Sequence, residues 1–262
     1  AWLVTADLLS EAEEHEAALI ALAQVDAADP FHDSAQAARV HLLATAGKAE
    51  AALAEAEAAV RANPTVTTYA TLGDVYTDLE RYSDAAGAYA GALALLKQGE
   101  AIQPEWTLHL LRGGALEQAG RWPEAKAALE AAYKLAPDQP VVLNYLGYAQ
   151  LERRENIPQA MKLIEEAARL RPDSPEITDS LGWAHYLTGD TAKAIELLQR
   201  AARGGPADPE INEHLGGAYY KAGRRYEARY AWKAALLYAE AEDAERLRAK
   251  IEQGWTPKLA SR

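Results

Sequence analysis

Small, apolar and helix-terminating residues recur along this chain with a common spacing of about 34 residues. One glycine series has spacings of 40, 34, 35 and 34 residues: Gly73, Gly113, Gly147, Gly182 and Gly216. An alanine follows each glycine by about twelve residues, and the series extends upstream: Ala18, Ala52, Ala85, Ala125, Ala160, Ala194 and Ala228. Prolines keep the same register: Pro30, Pro64, Pro137, Pro172 and Pro206. Three residue types with one period predict a chain built from internal repeats.

Each repeat reads as two helices. The first helix carries the glycine, where a partner helix crosses closely, and the second carries the alanine. An aromatic residue or leucine follows the alanine by four positions, on the same helix face: Tyr89, Leu129, Leu198 and Trp232. Glycines suited to left-handed helix ends separate the two helices: Gly47, Gly120, Gly189 and Gly223. Proline then ends the second helix, because it lacks an N–H and clashes with the preceding turn.

Composition supports helices and argues against several classes of function. Hydrophobic residues make up 49% of the 262 residues, alanine runs are frequent, and cysteine is absent. The formal net charge is −12, and residues 1–100 hold 5 Lys and Arg against 16 Asp and Glu. So acidic a chain is a poor candidate for binding nucleic acid, which requires clustered cations. No apolar stretch is long enough to span a membrane, so we expect membrane association only through an upstream anchor.

The repeat resembles the tetratricopeptide repeat, most clearly where Leu215-Gly216 precedes Tyr219, Ala228 and Trp232. The resemblance implies an all-α, right-handed solenoid of about six helix hairpins over residues 1–253. Its expected repeats are residues 33–66, 67–105, 106–139, 140–174, 175–208 and 209–242. A helix of a truncated repeat over residues 11–28 precedes them, and a capping helix over residues 243–253 follows. Residues 254–262 form a C-terminal tail.

Several positions depart from the repeat pattern. The repeat 67–105 is about six residues too long near residues 97–104, and the repeat 140–174 has one extra residue near Asn156. The first complete repeat has Val40 in place of glycine, so its two helices should lie further apart. Because the chain starts in what reads as mid-helix at Trp2, we expect a longer protein whose targeting signal lies upstream.

Catalytic chemistry is not indicated by any motif. The sequence contains no phosphate-binding glycine loop and no HExxH, and its histidines are scattered. His214 next to Glu213 resembles a base with an orienting carboxylate, but we interpret the two as ligand-facing residues without a catalytic role. We therefore predict a protein that is not an enzyme and that has no metal site and no cofactor.

Ligand-facing residues follow from the family resemblance. It implies that positions 2, 5, 9 and 12 of each repeat face a groove, which in the last three repeats is aromatic and acidic. The candidate peptide-binding residues are Asn144, Tyr148, Asp179, Trp183, Tyr186, Glu213 and Tyr220. Because carboxylates repel a carboxylate terminus, we expect an extended or helical segment that is apolar and basic. The upstream groove, with Ala70 and Asp74, offers less to grip.

Residues 179–186 and 213–236 resemble a narrower group: proteobacterial exported tetratricopeptide lipoproteins. Some of these are adaptors that deliver cell-wall hydrolases to a carboxyl-terminal processing protease. The resemblance implies a periplasmic, outer-membrane-associated protein whose partners are a protease or a cell-wall hydrolase; a cytoplasmic scaffold is the alternative. Two other hypotheses stay open: a self-assembling structural element, with oligomerisation through an open N-terminal end, and an accessory region of a larger enzyme.

Overall fold

The structure is a computed structural model that describes residues 2–12, 14–26, 28–96 and 104–256. Over these residues the chain forms fifteen α-helices and no strand, which confirms the all-α repeat fold. The chain divides into two compact units, residues 1–136 and 137–262. The single solenoid over residues 1–253 stays a prediction.

The N-terminal unit contains eight helices that pack in consecutive pairs. They are α1 (Trp2–Glu11), α2 (His15–Leu22), α3 (His32–Thr45), α4 (Ala49–Ala62), α5 (Val66–Asp78), α6 (Tyr82–Leu96), α7 (Glu105–Gln118) and α8 (Trp122–Leu135). Each second helix also packs on the first helix of the next pair, so the apolar contacts continue from hairpin to hairpin. A single hairpin cannot bury its apolar face alone, so stacking provides the core of this unit.

The C-terminal unit contains three hairpins and one final helix. Its helices are α9 (Pro140–Glu152), α10 (Ile157–Leu170), α11 (Pro175–Thr188), α12 (Thr191–Gly204), α13 (Pro209–Lys221), α14 (Arg225–Tyr238) and α15 (Ala241–Gln253). Three of the first helices begin at a proline, which costs no hydrogen bond at that position. The final helix packs on α14 and buries Leu247 in the last core cluster.

The repeated glycines lie where the two helices of a hairpin cross. A Cβ on Gly73, Gly113, Gly147, Gly182 or Gly216 would meet a side chain of the partner helix at less than 3.0 Å. The partners are Tyr89, Leu129, Ile164, Leu198 and Trp232 respectively. All seven alanines of the repeat series are fully buried. The glycine therefore lets the helices approach, and the alanine and the large residue four positions later fill the space between them.

Left-handed residues mark the turns inside the hairpins. Gly47, Gly120, Gly189 and Gly223 have positive φ values between 72° and 97°, as expected from the sequence. The hairpin with the extra residue turns instead through Arg154 and Asn156, which both have positive φ. The one-residue insertion is therefore accommodated in the loop, and the helices on either side keep their crossing.

The first hairpin differs from its sequence-based description. The predicted helix over residues 11–28 is shorter, because α2 begins at His15 and ends at Leu22, well before Pro30. Helix α1 pairs with it, burying Ala6. The expected extension at residues 97–104 falls largely outside the described residues, as does the tail from residue 257 onward.

The first-helix face of the C-terminal unit

All seven candidate residues lie on the first helices of the C-terminal hairpins. Asn144 and Tyr148 are on α9; Asp179, Trp183 and Tyr186 on α11; Glu213 and Tyr220 on α13. Helix α11 contacts both α9 and α13, so the three helices form one continuous surface. We call this surface, with its seven residues, the first-helix face.

Trp183 is the centre of the first-helix face. Its ring stacks on Tyr186, with centroids 4.4 Å apart, and on His214, with centroids 4.1 Å apart. Its indole N–H donates to Glu152 at the end of α9. Only 8% of Trp183 is exposed, so it holds the three first helices together rather than projecting into solvent.

His214, which stacks on Trp183, also forms a buried pair with Asp179. His214 Nδ1 donates to Asp179 Oδ2 at 2.8 Å, and both side chains are almost fully buried. Burial lowers the pKa of His214, but the Asp179 carboxylate, together with the charges of Glu210 and Glu213, outweighs burial and raises the pKa to about 9. His214 is therefore protonated at neutral pH and neutralises Asp179. The sequence-based pairing of His214 with Glu213 is wrong, since successive helical residues point about 100° apart.

Glu213 faces the capping helix. Its carboxylate is buried and pairs with Arg246 and Lys250 of α15. Burial lowers the pKa of Lys250, and the attraction of Glu213 opposes this. Two cations thus compensate the negative charge that the sequence analysis assigned to a ligand surface. Asp179 and Glu213, which were expected to make the groove acidic, therefore each have a buried cationic partner.

Asn144 and Tyr220 are also engaged within the unit. Asn144 Nδ2 donates to Ser180 Oγ at 3.1 Å. Tyr220 packs 5.6 Å from Trp232, measured between ring centroids, and accepts a hydrogen bond from Arg225. Gly254, with φ of +83°, lies directly against the Tyr220 ring. The start of the tail therefore covers Tyr220, and Trp255 packs on the same core cluster.

The accessible part of the first-helix face is smaller than predicted, and it is aromatic and acidic. Tyr148 and Tyr186 are half-buried, and Glu152, Glu176 and Glu210 are exposed around them. Glu210 accepts a hydrogen bond from Tyr148 at 3.3 Å, and its side chain is 66% exposed. The exposed carboxylates next to the rings are negatively charged, and the protonated His214 lies beside one of them, with its Nε2 4.0 Å from Glu210 Oε1.

The side chain of Lys221 lies over one of these rings, that of Tyr186. Lys221 Nζ lies 4.2 Å from the Tyr186 ring centroid and donates to the Tyr186 carbonyl oxygen at 2.7 Å. An ammonium over a tyrosine face is stabilised by the ring quadrupole. The geometry shows that Tyr186 accepts a positively charged side chain on its face.

The N-terminal unit has a cavity in the part of the chain where the sequence indicated a weaker binding surface. A space of about 340 Å³ lies between α3 and α5, next to Val40, His41, Ala70 and Asp74. Burial raises the pKa of Asp74, although Tyr89 donates a 2.7 Å hydrogen bond to it. Small side chains along both helices leave this volume open. The alanines and threonines at these helix positions could have indicated the cavity from the sequence, because small side chains leave space between helices.

Comparison with known proteins identifies the family. The tetratricopeptide repeat profile matches four overlapping segments: residues 70–140, 110–175, 146–209 and 180–245. The chain belongs to the tetratricopeptide repeat family. Its repeat fold supports a role as a scaffold for protein–protein interaction. No curated protein matches the chain at a significant level.

Solved structures of other proteins share the fold. A repeat protein from Parabacteroides merdae is 12% identical, with a TM-score of 0.74 over 96% of both chains. A chain of the APC/C hetero-tetramer Cut9–Hcn1 is 18% identical, with a TM-score of 0.69, covering 95% of this chain and 48% of that one. A human IFIT1 dimer with m7Gppp-AAAA is 16% identical, with a TM-score of 0.67, covering 98% and 66%. This chain therefore spans about half the length of the Cut9–Hcn1 chain, and the likeness shows the fold alone.

Two further features bear on the class of site. Within residues 2–12, 14–26, 28–96 and 104–256, no group of His, Asp and Glu could hold a metal ion. Across the same described ranges, no helix has the length and apolarity needed to cross a membrane.

Proposed function

We propose that the tetratricopeptide repeats bind a polypeptide segment on the first-helix face, and that the bound segment combines an apolar side chain with a Lys or Arg. The observation that carries this is the pair of half-buried tyrosines, Tyr148 and Tyr186, beside the exposed Glu152 and Glu210. The support for a basic side chain is the contact of Lys221 with the Tyr186 ring, where a ligand cation would take the place of Lys221. The role is that of a binding scaffold rather than of an enzyme.

The charges of the face support a basic ligand. Asp179 is matched by His214, and Glu213 by two cations of α15, so these acids attract no partner. Glu152 and Glu210 are exposed next to aromatic rings, where a bound cation would be partly shielded from water. A cation placed there gains from the carboxylates and from the rings together.

Selection of peptides on the full chain tests this proposal. We expect enrichment of segments with a Lys or Arg close to a large apolar residue. Tyr186→Ala should weaken the selected peptides about tenfold or more, since truncating a tyrosine anchor costs about 2 kcal/mol. The double variant Glu152→Gln/Glu210→Gln should reduce the preference for basic residues and the sensitivity of binding to salt.

A matched control comes from the other face of the hairpin. Tyr226→Ala removes a tyrosine that is 79% exposed on α14, and it should leave peptide affinity unchanged. Selected peptides that bind equally well to the Tyr186→Ala, Glu152→Gln/Glu210→Gln and wild-type chains would refute the site.

For the biological role, we propose a periplasmic adaptor at the outer membrane that presents a substrate to a carboxyl-terminal processing protease. The support is the resemblance of residues 179–186 and 213–236 to exported lipoproteins. Affinity capture from the source cell envelope tests it, with the wild type compared to a Tyr186→Ala/Glu210→Gln variant of unchanged helicity. A protease or cell-wall hydrolase retained only by the wild type would support the adaptor. Cytoplasmic partners, or partners that both chains capture, would contradict it.

A further inference from the structure

The outward face of α14 is unusual among the second helices. Tyr226, Arg229, Tyr230, Lys233 and Leu237 follow one another at helical spacing, opposite the face that buries Ala228 and Trp232. Tyr226, Tyr230 and Leu237 are 79%, 73% and 78% exposed. Two other second helices each expose a single large hydrophobic residue, Ile20 on α2 at 66% and Leu135 on α8 at 49%, so a row of them is particular to α14. We call these five residues the α14 stripe.

The two cations of the α14 stripe have no carboxylate partner in the described part of the chain. Several other cations on or next to second helices pair with a carboxylate three or four residues away, as Arg61 does with Glu57 and Lys193 with Glu196. Around Arg229 and Lys233 the positions one turn away are aromatic, basic or apolar. Lys233 has only a distant cation–π contact, 5.9 Å from the Tyr230 centroid. In a chain of net charge −12, unpaired cations between exposed tyrosines indicate a surface that would bind a negatively charged partner.

Helix α1 presents the complementary pattern. Val4, Asp7, Leu8 and Glu11 are all exposed and lie on one face, opposite the side that buries Ala6. Val4 and Leu8 are each 62% exposed. The order is apolar, charged, apolar, charged at positions i, i+3, i+4 and i+7, which is the order of the first four residues of the α14 stripe. The charges are opposite in sign. We call these four residues the α1 stripe.

We propose that the chain self-associates, with the α1 stripe of one copy packing along the α14 stripe of a second copy. The matched spacing brings apolar residues together while Asp7 and Glu11 meet Arg229 and Lys233. A second copy is favoured over an anionic membrane or a nucleic acid, because it supplies both the acidic charge and the apolar side chains at the required spacing.

The association is heterologous, since different surfaces of the two copies meet. Such contacts propagate into a chain of molecules or close into a ring. Two single-helix faces fall short of the roughly 1,200–2,000 Å² that stable interfaces bury. The association is therefore weak and concentration-dependent, and added salt opposes it because its charges are exposed.

Sedimentation velocity on the full chain over a wide concentration range tests the proposal. We expect the weight-average mass to rise with concentration at low salt and to fall when salt is added. Reversing the α14 charges with Arg229→Glu/Lys233→Glu should raise the apparent dissociation constant about tenfold or more. Reversing the α1 charges with Asp7→Lys/Glu11→Lys should do the same. All four positions are exposed, so circular dichroism should show unchanged helicity.

Sedimentation velocity on a mixture of the two charge-reversed variants is the decisive experiment. Each alone has like charges on both stripes, whereas in the mixture the acidic α14 of one meets the basic α1 of the other. Restored association in the mixture, and in a chain carrying all four changes, would support the proposal. A wild type that is monomeric throughout, or association that ignores charge reversal and is not restored by mixing, would overturn it. So would binding of the α14 stripe to phosphatidylglycerol vesicles without self-association.

Discussion

Adjacent glycines on α13 should respond oppositely to the same substitution. A Cβ on Gly216 would overlap Trp232 Cδ1 and Nε1 at less than 3.0 Å, and Trp232 is fully buried. A Cβ on Gly217 would meet only Trp183 Cζ3, at an ordinary 3.9 Å. Both residues lie inside the helix, where alanine is favoured over glycine by about 0.5–1 kcal/mol. Only at Gly216 is that gain opposed by a clash.

The clash at Gly216 exceeds the helical gain. Added volume in a packed interior costs about 1–3 kcal/mol, and more where the neighbour cannot move. Trp232 is held by its indole N–H, which donates to the Glu213 carbonyl oxygen at 3.3 Å. We therefore expect Gly216→Ala to lower the free energy of unfolding by about 1–3 kcal/mol. Gly217→Ala should raise it by up to about 1 kcal/mol.

Amide hydrogen exchange of α13 and α14 is the appropriate assay, because repeat proteins unfold in parts and exchange reports local stability. Urea unfolding followed by circular dichroism provides a second measure. The reasoning would be refuted if Gly216→Ala protects these amides as well as Gly217→Ala does, since the crossing would then tolerate a side chain.

Two further substitutions test the buried charges. Glu213→Gln should destabilise the chain by about 3–5 kcal/mol, because it leaves Lys250 buried without its partner. Glu227→Gln, at an exposed ion pair, should cost less than about 1 kcal/mol. Urea unfolding compares the two variants, and equal losses of stability would contradict the account. The pKa of His214 is raised to about 9 from 6.5, so its contribution is fully present below pH 6.5 and is lost as the pH rises toward 9. Asp179→Asn should flatten that pH dependence of stability, and an unchanged profile would show that the pair does not titrate in this window.

The periodic pattern predicted the hairpins because it reflects local geometry. Gly216 and Trp232 share a register that only a close helix crossing explains, and Pro175 and Pro209 begin helices where a missing N–H is harmless. The first hairpin was predicted less well. No glycine or proline marks the turn between Glu11 and His15, so the sequence did not separate α1 from α2.

The candidate site depended on contacts that local sequence does not carry. Glu213 is neutralised by Arg246 and Lys250, which lie on a helix more than thirty residues away and were described only as a cap. Tyr220 is covered by Gly254 from the tail. The family pattern indicated which side of each first helix faces outward, but not which outward groups find partners within the chain.

Site-specific photo-cross-linking tests the central claim most directly. A photoreactive amino acid at Glu176, an exposed position at the start of α11, would be compared with one at Leu135, an exposed position in the N-terminal unit. Incubated with peptides selected on the wild-type chain, the Glu176 probe should cross-link the peptide and the Leu135 probe should not. Cross-linking only from Leu135, or equally from both, would contradict binding at the first-helix face.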